Sequence, residues 1–134
     1  MSRSTFIIGE IGPNHNGDYG LATKLVDKLA KTGVNAIKFQ LSDPSKLHSI
    51  DSFLADYQKD NSKKISALEM SRKLNLSREE HILLSKQCES LGIEYMCTAF
   101  DIDSLNFLAN KLKIKRIKLP SGELLSIDML EFIK

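Results

Sequence analysis

Four short apolar runs divide the chain, and a polar stretch follows each of them before the next helical pattern begins. Runs of this length, rich in Ile, Val, Phe and Tyr, are typical of buried strands. The predicted strands cover 5–10, 34–40, 93–98 and 115–120.

Between the strands, apolar residues recur at every third or fourth position, which predicts helices. Ser77 and Glu80 have the spacing of a capping box, and Gly33 and Gly92 stand where helix C-caps belong. The helix after Ser77 is expected to bury Leu83, Leu84, Cys88 and Leu91. The predicted helices run from about 18 to Gly33, over 67–74, from 77 to Gly92, over 102–112 and over 126–134.

A strand followed by a helix, four times over, predicts parallel strands with crossover helices. The fold class is therefore α/β, and residues 1–134 form one domain without a linker. A complete (β/α)₈ TIM barrel takes about 250 residues. The chain is expected to be the N-terminal half of such a barrel, truncated, with 41–66 as an irregular connection.

The second predicted strand alternates, so Lys38 and Gln40 share one face while Ile37 and Phe39 share the other. The apolar pair is expected to face the helices. An ammonium on the inner face of a barrel is costly unless an anion meets it. Lys38 therefore indicates a phosphate or carboxylate ligand.

The fourth strand repeats this pattern with Lys118, and the segment 121–123 follows at once. Ser121 and the amides around Gly122 can donate to phosphate oxygens, and Thr98 adds a hydroxyl at the same level. Glu123 would repel phosphate, so we expect it to meet neutral hydroxyl groups of a ligand. These positions fall at strand ends, where such folds place their chemistry.

Glu10 follows the first strand, and two interpretations remain open for it: a solvated carboxylate, or a general acid or base. His15 lies in the next loop and could orient Glu10 or substrate, or simply fix the loop. His48 and His81 are expected at the surface, and the three histidines are not spaced as a metal site.

Composition excludes several classes of protein. The net charge of +2 comes from scattered basic residues, so nothing indicates nucleic-acid binding. No apolar run approaches the ~20 residues of a membrane helix, and the first residues lead straight into the predicted strand rather than into the apolar region of a secretory signal, so none is expected. Cys88 and Cys97 are expected to be reduced core residues of a cytoplasmic protein.

The segment 6–17, FIIGEIGPNHNG, resembles the opening motif of the N-acetylneuraminate (sialic acid) synthase family, which includes legionaminic and pseudaminic acid synthases. Four later segments resemble further blocks of that family, in order: 37–40, 55–59, 98–101 and 117–123. The resemblance implies an enzyme that condenses phosphoenolpyruvate with an N-acylated amino sugar, such as N-acetylmannosamine, and releases phosphate. It also implies a TIM barrel with a C-terminal antifreeze-like domain, a homodimer and a divalent metal, typically Mn²⁺.

Carried over residue by residue, the resemblance gives each candidate position a role. Glu10 is similar to the acid/base carboxylate, and Gln40 and Glu123 are similar to sugar-contacting positions. The metal-binding histidines belong to the later half of the family's barrel, so no residue here is expected to be a ligand. The positions that resemble phosphoenolpyruvate-binding residues are Lys38, Thr98, Lys118 and Ser121.

Two departures from the family motifs leave the sugar preference open: Leu41 replaces a common Thr, and Ala99 replaces a common Pro. Two alternatives to the synthase also stay open. One is a non-catalytic half-barrel that self-associates through open sheet edges. The other is an aldolase or another phosphoenolpyruvate-using barrel, which would also need strand-end lysines.

Overall fold

The computed structural model describes residues 5–47 and 67–134. Four parallel strands form one sheet in the order of the chain. This confirms the predicted α/β architecture of parallel units. The strands are β1 (Ile8–Glu10), β2 (Ala36–Leu41), β3 (Glu94–Ala99) and β4 (Ile117–Lys118).

Helices follow the strands as the spacing predicts. The predicted helix over 102–112 is divided, because its second half has π geometry, with Leu112 N–H donating to the Phe107 carbonyl. The helices are α1 (Tyr19–Ala30), α2 (Pro44–Leu47), α3 (Ala67–Leu74), α4 (Arg78–Ser90), α5 (Ile102–Asn106), a π-helix (Phe107–Lys111), a 3₁₀ turn (Ser121–Glu123) and α6 (Ile127–Phe132). The predicted loop of 48–66 and His48 lie outside the described residues.

β1 and β4 are shorter than predicted, because each is an edge strand with a neighbour on one side only. Pairing of β1 begins where Ile8 meets Ala36. Before that point the Ile7 N–H donates to the Asn35 side chain, 2.7 Å away, so the chain is held there by a side chain and not by strand pairing alone.

The hydrophobic core lies between the sheet and its helices. From the sheet it takes the alternate residues Ile37, Phe39 and Leu41 of β2, together with Tyr95 and Cys97 of β3. Burial of apolar surface of this kind is the main stabilising term in folding. The predicted direction of Ile37 and Phe39 is therefore confirmed.

Side-chain caps set the start of α4 as predicted. The Ser77 hydroxyl accepts from the Glu80 N–H, and the Glu80 carboxylate accepts from the Ser77 N–H at 2.7 Å. Such a capping box satisfies two amides that the helix itself leaves unpaired.

The predicted buried face of α4 is partly wrong. Leu83 and Leu91 are exposed, whereas His81, expected at the surface, is completely buried. His81, Leu84 and Cys88 lie at intervals of three and four residues, so they form the stripe that faces the sheet. Leu83 is one position away from that stripe and points to solvent.

Cys88 and Cys97 are both free and buried, as predicted. Burial raises the pKa of the Cys97 thiol to about 12. Both thiols are therefore packing groups rather than nucleophiles. Among the described helices, none is long and apolar enough to cross a membrane.

Candidate functional site

The face of the sheet opposite the helices carries polar side chains from every strand. Lys38 and Gln40 lie on this face because β2 alternates, and the core takes the residues between them. We call this surface the site face, defined by Glu10, Lys38, Gln40, Thr98 and Lys118. It contains five of the seven candidate positions identified from the sequence.

The parallel register arranges the site face in two rows. Residues that are register partners on neighbouring parallel strands point to the same side of a sheet. Three strands contribute to each row, so residues far apart in the sequence become neighbours. The rows are Glu10, Lys38 and Met96, and Gln40, Thr98 and Lys118.

Lys38 is the centre of the site. Its ammonium lies 2.6 Å from Glu10 Oε2 and donates to Thr98 Oγ1 at 2.9 Å. The side chain of Lys38 is 11% exposed, whereas that of Glu10 is 48% exposed. A cation this deeply buried needs both partners to offset its lost hydration. The predicted inward direction of Lys38 is confirmed.

Thr98 has unused hydrogen-bonding capacity. Because an ammonium can only donate, the Thr98 oxygen accepts from Lys38, and the hydroxyl proton is left to donate elsewhere. Among the described residues that proton finds no acceptor. Lys38 likewise keeps a third N–H beyond those directed at Glu10 and Thr98. Both donors can serve an anion placed between them.

Gly12 brings the first loop close to the site. Its φ of +51° favours glycine, and a Cβ at this position would lie 3.3 Å from Glu10 Oε1 and 3.4 Å from Gln40 Nε2. The loop backbone therefore covers the mouth of the site beside these two side chains. A side chain at residue 12 would fill space that both of them border.

Lys118 lies on β4 opposite Thr98, and it is exposed. Within the described part of the chain it forms no ion pair. Lys118 therefore provides a free positive charge on the same row as the Thr98 hydroxyl. The structure thus offers two cations of different kinds, one buried and one solvated.

Ser121 and Glu123 lie in the 3₁₀ turn that follows β4, at the same edge of the sheet. Ser121 is exposed, and the half-buried Glu123 accepts a hydrogen bond from the Ser126 hydroxyl at the start of α6. Glu123 also lines a cavity of about 290 Å³ with Lys46, Asp101 and others. Neither side chain contacts Lys38 or Gln40, so the structure places them near the site without joining them to it.

Asp101, which follows β3, is a structural anchor that was not among the candidate residues predicted from the sequence. Its carboxylate is almost fully buried and accepts from the Asp43 N–H at 2.7 Å and from the Ser104 N–H and hydroxyl at 2.8 and 2.7 Å. It thereby caps α5 and fixes the loop that follows β2, the strand that carries Gln40. An Asp just before a helical pattern is an N-cap signal that could have identified it.

His15 belongs to the core side of the sheet. It is buried, its ring centroid lies 6.1 Å from that of Phe39, and its Nδ1 accepts from the Gly17 N–H at 3.1 Å. Burial lowers the pKa of His15, which favours the neutral ring. The loop-fixing interpretation is therefore favoured over an interaction with Glu10.

His81 lies behind the same strand. Its Nδ1 is 2.5 Å from the Tyr95 hydroxyl, and its ring meets Phe39 edge-on. Burial lowers the pKa of His81 to about 4, and Nε2 has no partner among the described residues. The neutral rings of His15 and His81 thus both pack near Phe39 of β2 on the core side of the sheet.

The two departures from the family motifs also lie on the core side. Leu41 and Ala99 are buried among apolar side chains and register partners of one another. Neither can contact a ligand on the site face. These two substitutions therefore cannot affect a ligand on the site face by direct contact.

A bound divalent metal requires several His, Cys, Asp or Glu side chains directed at one point. Residues 5–47 and 67–134 contain no group of three or more such side chains arranged to hold a metal ion. The described residues alone therefore do not form a metal site.

Comparisons with known proteins give consistent results. A family model described as the NeuB family matches residues 25–134. The N,N'-diacetyllegionaminic acid synthase of Legionella pneumophila is 44% identical over 131 residues, which are 97% of this chain and 36% of that protein. The enzyme of the same name from Campylobacter jejuni is 36% identical over 98% of this chain and 39% of its own length. The chain therefore spans well under half the length of these relatives.

A solved structure shows the same fold. The N-acetylneuraminic acid synthetase of Leptospira borgpetersenii serovar Hardjo-bovis, solved in complex with citrate, superimposes with a TM-score of 0.80 at 28% identity. The match covers 96% of this chain and 40% of that one.

Proposed function

The chain belongs to the NeuB family, and we propose that it is the N-terminal half of a nonulosonic acid synthase barrel. The reaction we propose condenses phosphoenolpyruvate with an N-acylated amino sugar and releases phosphate. The names of the relatives from Legionella and Campylobacter support this class of product. Because the chain covers 36% of the first of them, the complete reaction needs the rest of such a barrel.

The observation that carries the proposal is the environment of Lys38. The buried ammonium of Lys38 contacts both the hydroxyl of Thr98, which has an unused proton, and the half-exposed carboxylate of Glu10. All three groups lie towards the C-terminal ends of parallel strands. Such a site is suited to a substrate with an anionic end and a reacting carbon beside it. Phosphoenolpyruvate has this combination of groups.

In the proposed complex, Lys38 and Thr98 donate to one anionic group of phosphoenolpyruvate. Lys118 on β4 and Ser121 in the following 3₁₀ turn donate to its phosphate. Charge-assisted hydrogen bonds of this type are the strongest that side chains offer to phosphate. The exposure of Lys118 and Ser121 leaves both available to a ligand.

Glu10 supplies acid/base chemistry in this proposal. The enol carbon of phosphoenolpyruvate attacks the aldehyde carbon of the open-chain sugar, and the aldehyde oxygen takes a proton as the C–C bond forms. Water then adds at the adjacent carbon and gives up a proton. The C–O bond to phosphate then breaks, the hydroxyl oxygen on the same carbon forms the ketone, and the hydroxyl proton goes to the departing phosphate. For these steps to balance, Glu10 enters the reaction as a carboxylic acid: it takes up a proton from solvent when it leaves Lys38, donates that proton to the aldehyde oxygen and recovers one from the attacking water.

Gln40 and Glu123 are the proposed sugar contacts. The Gln40 amide can both donate to and accept from hydroxyl groups, and it lies beside Glu10 under the Gly12 loop. Glu123 can accept from sugar hydroxyls once its bond to Ser126 is exchanged.

A divalent metal, with Mn²⁺ as our expectation, would polarise the aldehyde. Because the described residues do not form a metal site, we assign none of them as a ligand and derive no step through the metal. A homodimer and a cytoplasmic location are parts of the same proposal.

The test is phosphate release by a chimera in which residues 1–134 replace the corresponding part of the Legionella pneumophila synthase. With Mn²⁺, phosphoenolpyruvate and N-acetylmannosamine or a di-N-acetylated amino sugar, the chimera should release phosphate only when the sugar is present. The chain alone should release none. The unmodified synthase serves as the positive control, and a folded but inactive chimera would count against the proposal.

A Schiff-base aldolase is the nearest alternative chemistry. It requires a free amine, whereas the amine of Lys38 is engaged by Glu10 and Thr98. We therefore expect borohydride to trap no adduct at Lys38, and we expect none at Lys118, the other strand-end lysine, with any aldehyde or ketone substrate. A trapped adduct at either residue would favour the aldolase instead.

A second candidate function, self-association, is favoured by apolar side chains at both edges of the sheet. Phe6, Ile7 and Ile8 are exposed beside β1, and Leu125 and Ile127 are exposed after β4. Exposed patches of this kind mark interaction surfaces. Sedimentation velocity separates the two ideas, because a well-folded monomer at high concentration would contradict self-association.

A further inference from the structure

The position that an anion would take beside Lys38 already contains a carboxylate. Glu10 Oε2 lies 2.6 Å from the Lys38 ammonium, within the distance of a charge-assisted hydrogen bond. We infer that Glu10 competes with the anionic substrate for Lys38 and must leave it before phosphoenolpyruvate binds. This inference rests on the proposed function of the site.

The two partners of Lys38 differ in how easily they can leave. Thr98 is 1% exposed and belongs to the central strand β3, so its hydroxyl is fixed. The Glu10 side chain is 48% exposed and lies at the end of the edge strand β1. Its carboxylate can therefore turn into solvent without opening the core, and it is the partner that a ligand replaces.

The exchange keeps the buried cation paired. An unpaired ammonium with the burial of Lys38 would be strongly unfavourable. When an incoming anion takes the place of Glu10, Lys38 exchanges one carboxylate for another anionic oxygen and keeps its bond to Thr98. The carboxylate pairing thus holds the empty site in its binding geometry, at the expense of affinity.

The exchange also links binding to chemistry. A carboxylate that leaves Lys38 remains at the mouth of the site, beside Gly12 and Gln40. There it is next to the reacting carbons and free of its counter-ion. Glu10 is thus released for acid/base work only when the anion is bound.

The experiment compares phosphoenolpyruvate binding to the complete 134-residue chain and two variants by isothermal titration calorimetry. Glu10→Gln keeps the shape of the side chain but removes the competing charge. Glu94→Gln is the matched control, because Glu94 points to the same side of the sheet but lies outside the two rows, in register with Ala36, and pairs with Arg116. Circular dichroism of each variant checks the fold.

We expect Glu10→Gln to lower the dissociation constant about tenfold, a difference of about 1.4 kcal/mol at 25 °C. Glu94→Gln should change the dissociation constant less than about twofold. The expected gain depends on removing the charge that is paired with Lys38, and not on the net charge of the chain. Equal affinities in wild type and Glu10→Gln would overturn the inference while leaving the proposed function intact. An equal gain in Glu94→Gln would also overturn it.

The absence of binding to both the wild type and Glu10→Gln would contradict the anion site itself, and with it the inference. A second measurement does not depend on the variant's stability. In the wild-type chain, the ¹³C shift of the Glu10 carboxyl carbon should move during the phosphoenolpyruvate titration with the same dissociation constant. A Glu10 signal that stays constant at saturation would contradict the exchange.

Discussion

Glu10 and Lys38, which are 28 residues apart in sequence, are register partners on neighbouring strands, and their side chains form an ion pair of 2.6 Å. In this pair the candidate catalytic acid or base neutralises the candidate anion-binding group. The two predicted roles are therefore coupled and cannot be tested as independent properties.

Glu10→Gln should have opposite effects on binding and on turnover in an active chimera. Removing the acid/base group should reduce kcat by about 10²- to 10⁴-fold, while phosphoenolpyruvate binds more tightly. Steady-state kinetics together with equilibrium binding would measure both. Unchanged turnover would remove Glu10 from the chemistry.

Lys118→Ala should weaken phosphoenolpyruvate binding. An exposed ammonium that meets a phosphate contributes at the lower end of the ~1.5–3 kcal/mol typical of bonds to charged groups, so about tenfold is expected in KM. Lys115→Ala is the control, since Lys115 is also exposed but precedes β4, at the far end of the strand. If both variants had the same effect, Lys118 would have no specific role.

Gly17→Ala should be far more destabilising than Gly33→Ala. Both glycines have positive φ, but a Cβ at residue 17 would lie 2.1 Å from the Lys73 carbonyl oxygen, whereas residue 33 has open space. We expect the free energy of unfolding to fall by about 1 kcal/mol for Gly33→Ala and by roughly 3 kcal/mol or more for Gly17→Ala. Urea unfolding measures both. Equal losses would mean that the first loop does not pack against the end of α3.

Acidification should destabilise the chain through His81. Its pKa is about 4 in the folded state and 6.5 in the unfolded state, so between these values the unfolded chain binds more protons. The free energy of unfolding should therefore fall as the pH is lowered through this range, by roughly 3 kcal/mol from this residue. The control is His81→Gln, which cannot titrate but keeps the carboxylates and His15. Parallel stability curves for the two proteins would contradict the prediction.

The sequence predicted those features that depend on local pattern. Alternation in β2 identified Lys38 and Gln40 as inward-facing, and the capping box at Ser77 identified the start of α4. The surface position predicted for His81 is wrong. That prediction followed from the polar side chain, whereas the three- and four-residue spacing to Leu84 and Cys88 places His81 on the buried face of the helix. Its partner Tyr95 is on another element, so the hydrogen bond that satisfies it depends on tertiary structure.

Contacts between distant parts of the chain are the features that the sequence could not predict. The bond from Lys38 to Thr98 spans 60 residues, and the anchor at Asp101 depends on an amide 58 residues earlier in the chain. No periodic pattern connects such positions. The competition between Glu10 and a ligand likewise becomes visible only when the distance between two side chains is known.

We propose that phosphoenolpyruvate binds on the site face around Lys38, and chemical-shift mapping of the isotopically labelled chain tests this binding most directly. Titration with phosphoenolpyruvate should shift the backbone amide signals of Lys38, Thr98 and Ser121 with one common dissociation constant. The amide signals of Glu94 and Lys115, at the opposite end of the sheet, should stay in place. Shifts confined to that opposite end, or no shift at saturating phosphoenolpyruvate in a folded chain, would contradict the account.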